Sequence, residues 1–290
     1  MKDLAMDAAA LRIFRAVADT GSVIAAAERV NSVPSNVSTR IRKLESTAGS
    51  QLFFRESRGM RLTPAGEILK DYADRILALT DEARIALQDA AGDGGSLRLA
   101  SMESTAAARL PPLLAAFHQA HPRVRLSLTT GTTAAVIDAV LERRADWGFV
   151  GGPVDHERLE GRVVFVEEMV LAVPHAVTGV ADAETRTMLA FRPGCSYRAH
   201  TETWLRQKGR PPKTVMEFGT LDGILGCVAA GMGVTLLPRV VVEAPSWAGR
   251  VRALTLEDTP NRIETWLIRH KDAIPTKAMS RFQEFADRSA

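Results

Sequence analysis

At 290 residues and 31.4 kDa, the chain is longer than a single typical core supports, so its length favours two or three domains. With 46% hydrophobic and 24% charged residues, its composition excludes a disordered protein. The net charge is only +3, but residues 1–62 hold ten Lys and Arg against six Asp and Glu, so the positive excess lies where a polyanion could bind.

The two cysteines, Cys195 and Cys227, match neither a metal-ligand cluster nor a disulfide framework. They could form a redox pair in the second lobe or serve as small buried apolar residues; the simplest interpretation is a reduced, cytoplasmic protein with no metal and no cofactor. The start MKDLAMDAAA lacks the basic region of an export signal. The longest uncharged stretch, residues 223–238, contains four glycines and is too short to span a bilayer, so we expect no membrane partner.

The first segment, up to Thr63, has the pattern of a compact helical domain. Apolar residues at helical spacing predict one helix ending at Gly21, a second ending at Asn31 and a third beginning at Pro34. Asn tolerates the left-handed backbone of a tight turn, and Pro suits the first helical position. The spacing predicts a helix-turn-helix, and LFFRESRGMRLT after it predicts a hairpin wing.

The outer face of the third predicted helix is polar and basic, as a helix that enters the major groove of DNA requires. Its candidate DNA-binding residues are Ser35, Asn36, Ser38, Thr39, Arg40 and Lys43. Arg55, Arg58 and Arg61 of the wing are candidates for contacts with phosphate or the minor groove. The alternative is an ordinary solvated helix face with surface charges.

Thr63-Pro64 predicts the start of a long amphipathic helix that runs to about residue 91. Its apolar seam consists of Leu69, Ala73, Ile76, Thr80, Ala83 and Leu87. The seam could pack on the core of its own domain. The sequence offers no neighbouring helix before AGDGGS, residues 91–96, which is typical of a flexible hinge, so we favour packing against a second copy of the chain.

The third segment alternates strands and helices from Leu97, which predicts an α/β fold with a parallel sheet and two lobes. The extended stretch VVFVEEMVLAVP suits a crossing between the lobes. The predicted domains are residues 1–63, a linker helix over 64–91, and 92–290. Within the last, lobe I covers about 97–164 and 268–290, and lobe II about 165–267.

The stretch from Phe14 to Glu67, FRAVADTGSVIAAAERVNSVPSNVSTRIRKLESTAGSQLFFRESRGMRLTPAGE, resembles the N-terminal signature of the LysR-type transcriptional regulators, and the resemblance continues along nearly the whole chain. LASMESTAAARLP, FRPGCSYRAHTETWL and CVAAGMGVTLLPR resemble the branch that contains the putrescine-utilisation regulator of enteric bacteria. Where many members have a Ser/Thr-Gln pair, this chain has Val33-Pro34, and Thr39 stands where Arg is common. The base preference of better-known members therefore does not carry over.

The resemblance implies a winged helix-turn-helix, a dimerising linker helix and an effector domain like a periplasmic binding protein. It also implies a homotetramer, duplex promoter DNA and a small-molecule effector as partners, and RNA polymerase as a further partner. The effector-binding residues that it suggests are Ser101, Glu103, Ser104, Thr105, Thr129, Thr130, Gly151, Ser196, Tyr197, Arg198 and Thr220. Because Glu103 and Arg198 have opposite charges, we expect a ligand with a carboxylate, an amine or both.

The sequence gives little support for catalysis. Six histidines are scattered, and no base is spaced to activate Ser196. We therefore expect a ligand-responsive transcription factor and not an enzyme. The alternative is an α/β solute-binding protein or enzyme fused to a helical interaction domain, which would show no salt-dependent affinity for DNA.

Overall fold

The computed structural model describes residues 6–56, 59–90, 94–180, 187–207, 214–256 and 261–288. The chain divides into two compact units, residues 1–87 and 88–290. Each unit has its own apolar core. The two units are therefore described one at a time.

The first unit is helical, with a small hairpin. Its elements are α1 (Ala8–Thr20), α2 (Val23–Arg29), α3 (Pro34–Ala48), β1 (Phe53–Glu56), β2 (Gly59–Leu62) and α4 (Pro64–Ala90). Asp7 and Ser22 cap the starts of α1 and α2 with their side chains. Asn31, with φ of 50°, makes the left-handed turn before α3. The helix-turn-helix predicted from the sequence is confirmed.

The hairpin is tied to the helices at both of its strands. β1 pairs antiparallel with β2, with Phe53 opposite Leu62 and Glu56 opposite Gly59. The Glu45 carboxylate at the end of α3 accepts hydrogen bonds from the backbone N–H groups of Leu52 and Phe53, at 3.0 and 3.3 Å. A Cβ on Gly59 would lie 2.5 Å from the Gly21 carbonyl oxygen, so only glycine allows this approach. The wing is thereby fixed beside α3.

Helix α4 begins as the sequence predicts, because the Thr63 hydroxyl accepts a hydrogen bond from the Gly66 N–H at 3.0 Å. Its apolar residues fall on two faces and not on one seam. Ala73 and Leu77 are buried in the core of the first unit, and Leu69 packs against it. The expectation that this helix has no core of its own to pack on was therefore wrong. A second face stays exposed: Ile68, Tyr72, Ile76, Leu79 and Leu87.

The second unit alternates strands and helices. Its first half contains β3 (Ser96–Met102), α5 (Glu103–Ala108), α6 (Leu110–Ala120), β4 (Arg125–Gly131), α7 (Thr133–Leu141), β5 (Trp147–Gly151) and β6 (Leu159–Pro174). Its second half contains β7 (Met188–Phe191), α8 (Ser196–Gln207), β8 (Val215–Phe218), α9 (Leu221–Ala229), β9 (Thr235–Pro238), α10 (Arg239–Val242), a 3-10 turn at Pro245–Trp247, β10 (Val251–Thr255), β11 (Arg262–His270) and α11 (Lys277–Arg288).

A seven-stranded sheet runs through the second unit in the order β10-β6-β11-β5-β3-β4, with β9 also pairing with β6. Strands β3, β4 and β5 are parallel, whereas β11 is antiparallel to β5 and β6. A separate parallel pair, β7 and β8, belongs to the second lobe. This order confirms the α/β class predicted from the sequence.

The sixteen-residue strand β6 serves both lobes. Its first part pairs with β11, and its last part pairs with β9 and β10. Strand β11 pairs with β6 from Arg262 to His270, along the part of β6 that precedes its pairing with β9 and β10. The boundary at about residue 268 predicted from the sequence stays a prediction, since Ile263 near the start of this strand packs in the apolar cluster of lobe II.

The segment AGDGGS lies partly outside the described residues, at 91–93. Gly94 and Gly95 have φ of 82° and 73°, a backbone region that suits glycine. No helix in the described parts of the chain combines the length and the apolar character needed to cross a membrane.

Candidate nucleic-acid interface and effector cavity

Helix α3 has one buried face and one exposed face. Val37, Ile41 and Leu44 lie at intervals of four and three residues and are at most 1% exposed. They bury about one side of the helix against α1 and α2. The predicted DNA-contacting residues Ser35, Asn36, Thr39 and Lys43 are exposed, and Ser38 and Arg40 are half-buried.

Local contacts hold several of these side chains in place. The Asn36 amide donates to the Ser32 hydroxyl at 2.9 Å, and the Thr39 hydroxyl donates to the Ser35 carbonyl at 2.8 Å. The Arg40 guanidinium lies 3.6 Å from a carboxylate oxygen of Asp7, whose other oxygen caps α1. Arg40 is therefore oriented by a residue that the sequence interpretation did not include.

Arg55 and Arg61 of the wing are both exposed, on opposite faces of the hairpin, whereas Arg58 lies outside the described residues. Arg61 stacks over the Phe54 ring at 4.7 Å and forms an ion pair with Glu56 at 3.0 Å. The register places Phe54 opposite Arg61, which explains the stacking. The wing thus offers exposed cations beside the end of α3.

In the second unit, a cavity of about 370 Å³ lies between the two lobes, within the usual range for small-molecule sites. It is found where the carboxyl ends of β3, β4 and β7 meet, as expected for an open α/β sheet. Its wall from lobe I includes Met102, Glu103, Ser104, Thr130, Thr132 and Ala135. Its wall from lobe II includes Phe191, Arg192, Pro193, Cys195, Tyr197 and Phe218.

Two hydrogen bonds join the lobes beside this cavity. The Glu103 carboxylate accepts from the Leu221 N–H at 2.8 Å, at the start of α9. The Ala134 N–H, in the first turn of α7, donates to the Gly194 carbonyl at 3.2 Å. Each bond satisfies a donor that a helix start leaves without an intrahelical partner. Both of these contacts between the lobes therefore use the N-terminal end of a helix.

Two residues of the cavity wall have buried hydroxyl groups. Ser104 and Tyr197 are each 2% exposed, and their hydroxyl groups lie close to each other but do not form a hydrogen bond of good geometry within the described residues. Burial raises the pKa of the Tyr197 phenol, with Ser104 and Thr105 beside it and the Glu167 charge nearby. The phenol therefore stays protonated and can donate a hydrogen bond.

A buried ion pair, formed by Arg109 and Glu167, lies near Tyr197. The Arg109 guanidinium makes two hydrogen bonds to the Glu167 carboxylate, at 2.8 and 2.9 Å, and Glu167 is 4% exposed. The hydrogen bond from Glu167 raises the pKa of Arg109, and burial opposes the shift. The pair connects the region between α5 and α6 to strand β6.

The structure brings together only some of the predicted effector residues. Glu103, Ser104, Thr130 and Tyr197 line the cavity. Gly151 and Ser196 lie instead in a second, open groove between the lobes. A Cβ on Gly151 would lie 2.2 Å from the Ser196 hydroxyl oxygen, so these two residues are in close contact.

The other predicted residues have structural roles outside the cavity wall. Thr220 caps α9, Ser101 and Thr129 donate hydrogen bonds to backbone carbonyls, and Thr105 is buried behind Tyr197.

Arg198 donates to Glu202 at 2.9 Å and to Glu217 at 2.5 Å, and these hydrogen bonds raise its pKa. Arg198 is thus engaged by two carboxylates outside the cavity wall, whereas Glu103 lines the cavity, so the structure does not bring these two opposite charges together in one wall.

Sequence reasoning missed Arg192, Phe191 and Phe218 as parts of the cavity. The signal for Arg192 was present, since it directly follows the buried strand β7 and the crevice of an α/β sheet lies at the ends of its strands. Cys195 and Cys227 are free thiols packed in or against the same apolar cluster. Burial raises the pKa of Cys195, which fits a buried apolar role better than a reactive one. Within the described residues, no cluster of His, Cys, Asp or Glu has the makeup of a metal site.

Comparison with known proteins extends these observations. The model for the bacterial regulatory helix-turn-helix protein, lysR family, matches residues 8–67, and that for the LysR substrate binding domain matches residues 90–290. The HTH-type transcriptional regulator GltR of Bacillus subtilis (strain 168) is 42% identical over 275 residues, covering 94% of this chain and 93% of GltR. CzcR of Bacillus thuringiensis subsp. konkukian (strain 97-27) is 37% identical over 272 residues, covering 94% of each protein.

Solved structures share the fold along the whole chain. The crystal structure of CbnR, a LysR family transcriptional regulator, has a TM-score of 0.74 and 25% identity, covering 98% of this chain and 99% of CbnR. Full-length CbnR complexed with its target DNA has a TM-score of 0.73 and 24% identity, covering 98% of this chain and all of that chain.

A winged helix-turn-helix unit and a two-lobed unit with a cavity define a transcriptional regulator with an effector-binding domain. The chain belongs to the LysR family of DNA-binding transcriptional regulators. The family is one of regulators and not of enzymes, so the alternative of a fused enzyme is set aside. The expected membership of the putrescine-utilisation branch is not supported, because the named relatives are GltR and CzcR.

Proposed function

We propose that the chain binds a specific site in duplex DNA through α3 and the wing, and that a small charged metabolite in the cavity between the lobes modulates this binding or the bending of the DNA. The observation that carries the proposal is the exposed polar face of α3, opposite a fully buried apolar stripe. Short side chains at its N-terminal end, Ser35 and Asn36, permit close approach to base edges. The shared fold with CbnR, solved with its target DNA, supports the same mode of docking.

The DNA-binding proposal includes Ser35, Asn36, Ser38, Thr39, Arg40 and Lys43 of α3, together with Arg55, Arg58 and Arg61 of the wing. The domains proposed are residues 1–63 for DNA binding, 64–91 for dimerisation and 92–290 for the effector. The protein is proposed to act in the cytoplasm, where its promoter DNA and RNA polymerase are found.

Fluorescence anisotropy with labelled promoter duplex and a scrambled duplex tests the DNA proposal. We expect the affinity to fall steeply with salt, because several phosphates are neutralised. Arg40→Ala should reduce the preference for the promoter by about 1–3 kcal/mol. Arg84→Ala removes a similarly exposed cation from α4 and serves as the matched control. Equal binding of both duplexes by the unmodified protein would reject the proposal.

We also propose that the protein forms a dimer through the exposed face of α4. Ile68, Tyr72, Ile76 and Leu79 are spaced by four, four and three residues and are 44–62% exposed, so they form a continuous apolar strip. Such a strip is stabilised when it packs against a second copy. The two α3 helices of a dimer should then contact half-sites separated by whole helical turns, ~10 bp or a multiple. The tetramer is carried over from the family resemblance.

Sedimentation velocity of the full chain tests the dimer. Leu79→Asp places a charge in the apolar strip and should shift the protein toward the monomer and weaken binding to a two-half-site duplex. Asp71→Ala alters an exposed residue of the same helix outside the strip and should leave the assembly unchanged. A Leu79→Asp protein that sediments like the unmodified one would remove the strip from the interface.

A further inference from the structure

We infer that the effector is a small carboxylate with a compact apolar body, held with its carboxylate at Arg192. This inference rests on the proposed function of the cavity. The sequence leaves open a ligand with a carboxylate, an amine or both, and the inference selects the carboxylate. It is carried by the charges and the apolar wall of the cavity.

The cations near the cavity differ in how far they are already committed. Arg109 is paired with Glu167 through two hydrogen bonds, and Arg198 is paired with Glu202 and Glu217. Arg192 lines the cavity, and no ion pair or hydrogen bond of its guanidinium is found among the described residues. An anion that enters the cavity therefore meets one uncommitted guanidinium, whose planar fork suits a carboxylate.

Glu103, the acidic residue of the wall, is already committed. One of its carboxylate oxygens accepts the Leu221 N–H at 2.8 Å, at the N-terminal end of the nine-residue helix α9. The partial positive charge of a helix start stabilises a carboxylate in this position. An ammonium group could use the second oxygen of Glu103, but the described wall holds no other acidic residue for the second ammonium of a diamine, whereas a carboxylate finds the whole guanidinium of Arg192.

The rest of the cavity wall determines which kind of ligand body fits. Phe191, Pro193 and Phe218 from lobe II and Met102 from lobe I are apolar and favour a hydrocarbon body. The hydroxyl oxygens of Ser104 and Tyr197 are themselves buried, so they lie behind this wall and not in front of the ligand. An apolar body with a carboxylate that reaches Arg192 therefore fits the wall.

Isothermal titration calorimetry with the full chain tests the inference. The probes are benzoate, phenylacetate and 4-methylpentanoate, with their neutral amides as matched controls, and 1,4-diaminobutane and 4-aminobutanoate as the competing charge types. We expect at least one carboxylate to bind, its amide to bind about tenfold to a hundredfold more weakly, and the diamine not to bind at millimolar concentration.

Variants of the same lobe locate the carboxylate. Arg192→Gln should weaken the best carboxylate by about tenfold to a hundredfold, and Arg192→Lys should restore part of the loss because it keeps the charge without the planar fork. Arg206→Gln, an exposed arginine of α8 outside the cavity wall, is the control and should bind like the unmodified protein. Circular dichroism of each variant checks that the fold is retained.

Three results overturn the inference: no carboxylate binds at millimolar concentration, the diamine or the amino acid binds more tightly than every plain carboxylate, or Arg192→Gln binds as well as the unmodified protein. Anisotropy with promoter DNA on the same preparation separates this failure from failure of the proposed function. Retained DNA binding with no carboxylate binding rejects the ligand class alone. Carboxylate binding without DNA binding rejects the proposed function.

Discussion

The DNA-binding face and the effector cavity are built in opposite ways. The face is made of residues within one fifteen-residue helix and the adjacent hairpin, so its members are close in sequence. The cavity takes its walls from residues as far apart as Met102 and Phe218, on two lobes. A local surface follows from helical periodicity, whereas a converging surface depends on which chain segments the sheet order brings together.

This contrast explains how much the sequence could predict. The helix-turn-helix, the Asn31 turn and the Thr63 cap were predicted correctly because each depends on a few adjacent residues. Arg192 was overlooked because it becomes part of the site only when β7 places it opposite β3 and β4. The predicted seam of α4 combined residues of a buried and an exposed face, because residues three and four apart occur on both faces.

The largest expected effect comes from breaking the ion pair of Arg109 and Glu167 near Tyr197. Glu167→Ala leaves the Arg109 guanidinium without its bidentate partner and should lower the free energy of unfolding by about 2 kcal/mol, below the range for fully buried pairs because Arg109 is 35% exposed and can be solvated. Urea unfolding measures the change. Glu168→Ala, which removes the neighbouring exposed partner of Arg239, should have a clearly smaller effect. Equal losses would show that burial of Glu167 does not matter.

A second change tests the contact between the lobes. Gly151→Ala places a Cβ 2.2 Å from the Ser196 hydroxyl oxygen and should weaken binding of the cavity ligand by about tenfold, a cost in the usual range for overpacking. Ser196→Ala in the same protein removes that oxygen and should restore part of the affinity, as calorimetry would reveal. If the double variant binds no better than Gly151→Ala, the clash is not the cause.

A smaller effect is expected on the DNA-binding face, at the ion pair between Asp7 and Arg40. Asp7→Asn keeps an oxygen to cap α1 but removes the charge that lies 3.6 Å from Arg40. Because the pair is exposed, we expect less than about 1 kcal/mol of change in the preference for promoter over scrambled duplex. Anisotropy measures both affinities. An unchanged preference alongside a strong effect of Arg40→Ala would show that Asp7 does not position Arg40.

The smallest effect concerns pH. Burial lowers the pKa of His200, so the folded state binds this proton less readily than the unfolded state does. Its contribution to stability is therefore fully present above the unfolded pKa, about 6.5, and is lost as the pH falls below that value. His200→Gln should flatten this part of the pH dependence of unfolding, whereas His118→Gln, at an exposed site, should not. The same slope in all three proteins would exclude His200 as its source.

Strand β6 has a mechanical consequence for any response to a ligand. One continuous strand is hydrogen-bonded into the sheets of both lobes, so no loop separates the two lobes along this segment. Relative movement of the lobes then requires a twist of an extended backbone that is hydrogen-bonded on both sides of the crossing. We therefore expect a bound ligand to change the angle between the lobes by a small twist of this strand.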